Sequence, residues 1–163
     1  MAKLYTGFGD SGYTETLNDR HVKKSDNIIC LIGTLDEFSA VLGVAKAHLP
    51  EKGIKADIEY LQNMLITLMG ELAGGEICAD NGTVCRTEEL ADKYSVDFNG
   101  FSVPGKNIPS AYLNLARCVI RRAERIAATL LEEDKIGKVA YCCLNRLSDL
   151  MYAMSRYAEE IQL

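Results

Sequence analysis

The chain has 163 residues, 48% of them hydrophobic and 25% charged, with a formal net charge of −5. This length and balance predict a single globular domain over 1–163 and exclude a disordered chain. The acidic surplus argues against tight nucleic-acid binding, so any phosphate must be met by a local group of cations.

No stretch reaches the ~20 apolar residues expected of a membrane span. The opening Met1-Ala2-Lys3-Leu4-Tyr5 runs into Thr6 and Gly7 with no secretory apolar region, which points to a cytoplasmic protein. The six cysteines, Cys30, Cys78, Cys85, Cys118, Cys142 and Cys143, form no C-x-x-C pair and are expected as reduced thiols.

Through about Ser25 the chain is rich in Gly, Thr and Asp without helical period, and reads as an ordered polar loop. From Asp26 the apolar residues Ile28, Ile29, Leu31, Ile32, Leu35, Phe38, Val41, Leu42 and Ala45 recur at helical spacing. Asp26 or Asn27 is the candidate N-cap, and Pro50 and Gly53 end that helix. A second helix runs from near Ile54 through Leu61, Leu65 and Leu68 to Gly74-Gly75. Between Gly75 and Pro109 the pattern is irregular, with one short helix around Glu88 to Tyr94. Pro109 opens a third long helix through Leu113, Ala116, Ile120, Ala123, Ala127 and Leu130. After Gly137 a fourth carries Leu144, Leu147, Met151, Met154 and Ala158. The expected fold is all-α: a five-helix, up-and-down bundle of four long helices and one short, with an N-terminal Gly-rich loop.

Four groups of residues could carry chemistry. In Thr6-Gly7-Phe8-Gly9-Asp10-Ser11-Gly12-Tyr13-Thr14, three glycines let backbone amides converge on an anion, with Lys23 or Lys24 nearby. It is not a P-loop, and a plain Gly-rich turn reads equally well. In Arg117-Cys118-Val119-Ile120-Arg121-Arg122-Ala123-Glu124-Arg125, residues Arg117, Arg121 and Glu124 share a helix face roughly 60° wide. A solvated charged face is the bland reading; arginines without lysine suit bidentate phosphate recognition. Asn145 and Asp149 lie one turn apart on the last helix, and a buried Asn145 would need a partner from a neighbouring helix or a ligand. Asp36 sits within the apolar pattern of the first helix and calls for a cation, with the Arg117 stripe the natural donor. His21 and His48 make no metal site with any cysteine, and no triad supplies a nucleophile.

Taken together, these segments resemble the corrinoid (cob(I)alamin) adenosyltransferases of the propanediol-utilisation type. The resemblance rests on Y-T-G-F-G-D-S-G-Y-T, Gly33-Thr34-Leu35-Asp36-Glu37, Phe101-Ser102-Val103-Pro104-Gly105, A-R-C-V-I-R-R-A-E-R, L-N-R-L-S-D and Arg156-Tyr157-Ala158, in that order over nearly the whole chain. It implies a homotrimer with sites between subunits, ATP, Mg2+ and cobalamin as ligands, a cob(II)alamin-reducing flavoprotein as partner, and an adenosylcobalamin-dependent client enzyme. It assigns Thr6, Gly7, Phe8, Gly9, Thr14 and Lys24 to ATP. Arg121, Arg122, Glu124, Arg125 and Asn145 join them, with Glu124 toward the Mg2+. Asp36 and Arg117 would bridge subunits near the corrinoid, and Phe101 would crowd the lower corrin face. The implied reaction is attack of cobalt(I) on the ATP 5′-carbon with release of triphosphate.

The chain departs from the family pattern at Asn18-Asp19-Arg20, where glycines are usual, at His21, Cys30 and Lys106, and in a short segment from Gly75 to Phe101. These departures motivate a second reading, a non-catalytic ATP or adenosylcobalamin sensor or carrier with the same fold.

Overall fold

A computed structural model describes residues 5, 7–19, 21–50, 52–96 and 103–161. A 3-10 turn over Phe8–Ser11 leads into a two-stranded antiparallel hairpin, β1 (Tyr13–Thr14) with β2 (Val22–Lys23). Five helices follow: α1 (Asn27–His48), α2 (Lys52–Leu72), α3 (Asn81–Lys93), α4 (Ile108–Glu132) and α5 (Lys138–Glu160).

Side-chain caps set three of the starts. The Asp26 carboxylate accepts the Ile28 amide at 2.9 Å and caps α1. Asp80 and Thr83 form a reciprocal capping box, which begins α3 well before the expected Glu88. Asn107 and Ser110 form another at α4, with Pro109 in its first turn. The hairpin is the other departure from the sequence expectation. Its strands are two residues each, too short to show alternation, and a Tyr13–His21 ring stack at 3.9 Å clamps them.

The helices alternate in direction along the chain, but their spatial order around the core is α1, α2, α3, α5, α4. Lys46 and Gln62 join α1 to α2, Lys93 and Asp57 join α3 to α2, and Arg146 and Glu88 join α5 to α3. Helices α3 and α5 are parallel neighbours, and the start of α4 meets the end of α5. There the Asn107 amide donates to the Ala158 carbonyl at 2.7 Å.

Leu31, Leu35, Phe38, Leu42, Leu61, Leu65, Ile120, Leu147 and Met151 are fully buried in the shared core. Helix α1 is apolar nearly all round, and by length and composition it meets the requirement for a membrane span, contrary to the sequence expectation. Leu31, Leu35, Phe38 and Leu42 nevertheless commit one of its faces to the core.

Asp57 joins α2 to the end of α3. Burial raises its carboxyl pKa, but hydrogen bonds from Lys93 and Tyr94, both 2.5 Å, bring it below the ordinary value. A depressed folded pKa adds stability above the unfolded value of about 3.9, and that stability is lost as pH falls through the folded value. Asp57→Asn should therefore cost about 1 kcal/mol at pH 7, shrinking toward zero near pH 2. Urea unfolding at both pH values measures this; an equal loss at each would rule out the charge as its source.

Candidate functional site

The hairpin assembles the first half of the site. Lys24 donates its amide to the Gly12 carbonyl at 2.9 Å, which brings the strand after the turn back over the glycines. A Cβ on Gly9 would lie 2.7 Å from the Lys24 ammonium, so the lysine closes directly onto the loop backbone. Gly7 and Gly12 have φ of +76° and +83°, conformations that favour glycine. The amides of Asp10 and Gly12 are already used inside the turn, donating to the Gly7 and Gly9 carbonyls. The loop thus offers fewer amides to an anion than its glycine count suggests, and Lys24 supplies the charge. Phe8, Gly9, Thr14, Glu15 and Lys24 line an open cavity of about 480 Å³.

Docking of the hairpin tip on α2 fixes this half. The Leu17 amide donates to the Ala73 carbonyl at 2.9 Å. Asn18 lies over Gly74, whose φ is +95° and where a Cβ would fall 2.2 Å from the Asn18 amide nitrogen. Asn18, which stands where the sequence pattern anticipates glycine, is therefore accommodated by the missing side chain at Gly74.

The second half lies on α4 and α5. Arg121, Glu124, Arg125, Ala128 and Tyr141 enclose a smaller cavity of about 140 Å³. Arg121 and Arg125 are exposed, and the Arg125 guanidinium donates back to the Arg121 carbonyl at 2.9 Å. Glu124 is half-buried and accepts a 2.8 Å hydrogen bond from the Asn145 amide of α5. The arrangement presents two exposed guanidinium groups beside a carboxylate held in place, chemistry suited to a polyphosphate. No cluster of three or more His, Cys, Asp or Glu able to hold a metal occurs among the described residues. Glu124 alone fits a divalent ion that arrives on phosphate oxygens, as magnesium usually does.

The two cavities share no lining residue. The cobalamin adenosyltransferase family model matches residues 4–158. The chain belongs to that family. A corrinoid adenosyltransferase from Citrobacter freundii is 30% identical over 174 residues, covering 98% of this chain and 96% of the relative. The mouse corrinoid adenosyltransferase MMAB is 31% identical over 97% of this chain and 73% of its own length. Among solved structures, a variant of the PduO-type ATP:corrinoid adenosyltransferase from Lactobacillus reuteri, complexed with cobalamin and ATP, superposes with a TM-score of 0.88. It is 27% identical, and the match covers 96% of this chain and 91% of that one.

With the family established, the fate of each expected site residue can be stated. Gly7, Phe8, Gly9, Thr14 and Lys24 come together, as do Arg121, Glu124, Arg125 and Asn145. Thr6 and Phe101 lie outside the described residues. Arg122 turns the other way, to an ion pair with Glu37 of α1. Asp36 is exposed, and within one chain no ion pair joins it to Arg117 among the described residues. On α1 it is Leu35 and Phe38 that face the core. Arg117 is half-buried, and its Nε is fully enclosed without a hydrogen-bond partner among the described residues.

Asn145 finds the neighbouring-helix partner that its sequence position called for. Sequence reasoning missed Tyr141, Glu88 and Arg146, whose roles depend on which helices adjoin. Burial pushes the Cys143 thiol up to about 11, so it is not a thiolate at neutral pH.

Gly74→Ala would place a methyl into the Asn18 side chain at positive φ. It should cost about 1–3 kcal/mol and raise the hydrogen-exchange rate of the Leu17 amide, since the tip must lift off α2. An unchanged Leu17 rate would show that the hairpin is held by other contacts.

Proposed function

We propose that the protein is an ATP:cob(I)alamin adenosyltransferase, transferring the 5′-deoxyadenosyl group of ATP to reduced cobalamin and releasing triphosphate. The observation that carries this reading is the pair of complementary half-sites, a lysine-closed glycine loop and an Arg121/Glu124/Arg125 face, in a chain that belongs to the family. Residues 1–163 act as one catalytic domain in a cytoplasmic setting.

In this reading a second subunit brings the half-sites together. A homotrimer is supported by the apolar character of α1 beyond its core face, and by Leu115 of α4, which is 47% exposed. The half-buried side chain of Arg117 and the exposed carboxylate of Asp36 fit the same assembly. Asp36 of one subunit reaches the Arg117 guanidinium of the next, and the two charges meet between chains.

The chemistry follows from the charges. The cobalt(I) lone pair attacks C5′ of the ATP ribose in line with the C5′–O bond, whose electrons leave with the triphosphate. The nucleophile belongs to the corrinoid, so the protein supplies positioning and charge stabilisation. Lys24, Thr14 and the glycine loop, together with Thr6, bind the polyphosphate from one side; Arg121 and Arg125 complete its enclosure. Arginine and lysine so placed stabilise the negative charge that grows on the leaving group. Glu124 would hold magnesium that arrives on the phosphates, and the ion would supply Lewis-acid neutralisation of the leaving group. Phe101 excludes water and an axial base from the lower corrin face, which eases reduction of cobalt(II). A cob(II)alamin-reducing flavoprotein supplies that electron, and an adenosylcobalamin-dependent enzyme uses the product.

Incubation with ATP, Mg2+ and chemically reduced cobalamin should yield adenosylcobalamin and stoichiometric triphosphate, read by the corrinoid spectrum and by phosphate analysis. Arg121→Ala should reduce kcat/KM for ATP about 30–1000-fold, the range for losing a charge-stabilising donor. ATP binding without adenosylcobalamin would instead identify a carrier or sensor.

Phe101→Ala should slow turnover from cobalt(II) plus reductant much more than turnover from preformed cobalt(I). Equal slowing in the two assays would contradict its part in removing the axial ligand.

A further inference from the structure

Four side chains from three helices form a continuous polar line that ends at the arginine cavity. Glu88 of α3 accepts from the Arg146 Nε of α5 at 2.8 Å. The Arg146 Nη1 donates to the Asn145 Oδ1 at 2.7 Å, and the Asn145 Nδ2 donates to the Glu124 Oε1 of α4 at 2.8 Å. Arg146 also lies 3.8 Å from the Asp149 carboxylate. The polarity of the line is forced. Arginine only donates and an ionised carboxylate only accepts, so the Asn145 amide must turn its oxygen to Arg146 and its nitrogen to Glu124. Reversing the amide would break both bonds at once. Helix α3 contributes no residue to the cavity wall, yet through Glu88 it reaches the carboxylate there.

We propose that Glu88 and Arg146 are positioning residues: they hold the Asn145 amide in one orientation and, through it, aim Glu124 at the nucleotide. The inference rests on the adenosyl-transfer reading for its ligand. Neither residue touches the cavity, and both act through Asn145. A simple α3–α5 surface staple would look similar, since Arg146 and Glu88 side chains are 40% and 48% exposed. Exposed ion pairs contribute little to folding. A staple would therefore leave ATP affinity untouched, whereas a positioning line would leave the thermal midpoint nearly unchanged and weaken ATP binding.

Calorimetry with MgATP and steady-state assays with reduced cobalamin distinguish these on the wild type, Arg146→Met, Arg146→Lys, Glu88→Gln, Asn145→Ala and the Arg146→Met/Asn145→Ala pair. Arg146→Met should weaken ATP binding and raise KM for ATP about 5–30-fold, with KM for cobalamin within about twofold of wild type. Arg146→Lys should recover part of the loss, because an ammonium can still donate to the Asn145 oxygen. Glu88→Gln should shift ATP affinity in the same direction by less. The paired variant should be no worse than Asn145→Ala alone, since the effect passes through that amide. Unchanged ATP affinity in Arg146→Met, or losses that add in the paired variant, would overturn the proposal. A wild type that binds ATP without transferring adenosyl overturns the catalytic reading alone, and the calorimetric comparison still decides the role of Arg146.

Discussion

The position of α4 between α1 and α5 is the constraint on which the candidate site depends. Its apolar side, including Leu113, Ala116, Ile120, Ala123 and Ala127, is fully buried, and this locks the rotation of the helix about its axis. Once that rotation is set, Arg121, Glu124 and Arg125 fall on the α5 flank and Arg122 on the α1 flank, within reach of Glu37. A helix packed at ordinary interior density cannot turn to bring Arg122 inward without displacing core residues. The core thus sorts four neighbouring arginines into different tasks.

Charge management follows the same logic. The chain is acidic overall, yet its proposed ligand is a polyanion, so cations must be concentrated locally while nearby carboxylates are kept occupied. Glu37 is engaged by Arg122, Glu88 by Arg146 and Glu124 by Asn145. Arg121 and Arg125 remain exposed at the cavity, and Lys24 closes on Gly9 at the separate loop surface. Two cationic cavities with no lining residue in common are a natural basis for a site completed by a second subunit. The enclosed Nε of Arg117 is a buried polar atom without a hydrogen-bond partner among the described residues.

Much of this was legible in the amino-acid order. The four long helices fall where the apolar period and the punctuation of Asp26, Pro50, Gly74, Pro109 and Gly137 put them. Helix α3 begins earlier than its apolar residues indicate. The Asp80–Thr83 box starts it across Asn81-Gly82, a pair that more often marks a turn. The hairpin escaped notice because two-residue strands carry no period. The exposed position of Asp36 was not legible for a related reason. When a helix is apolar nearly all round, periodicity has too little contrast to say which face meets the core.

The sequence alone determined the helical class, the helix order, and the residue types suited to a polyphosphate and a reduced corrinoid. These are local properties: caps, periods and short motifs act within a few residues of one another. Tertiary structure decided the rest. It placed α3 beside α5 although α4 intervenes in the chain, joined Glu88 to Arg146, and docked Asn18 on Gly74. Such pairings join residues as much as 58 positions apart, and the packing of complete helices selects them.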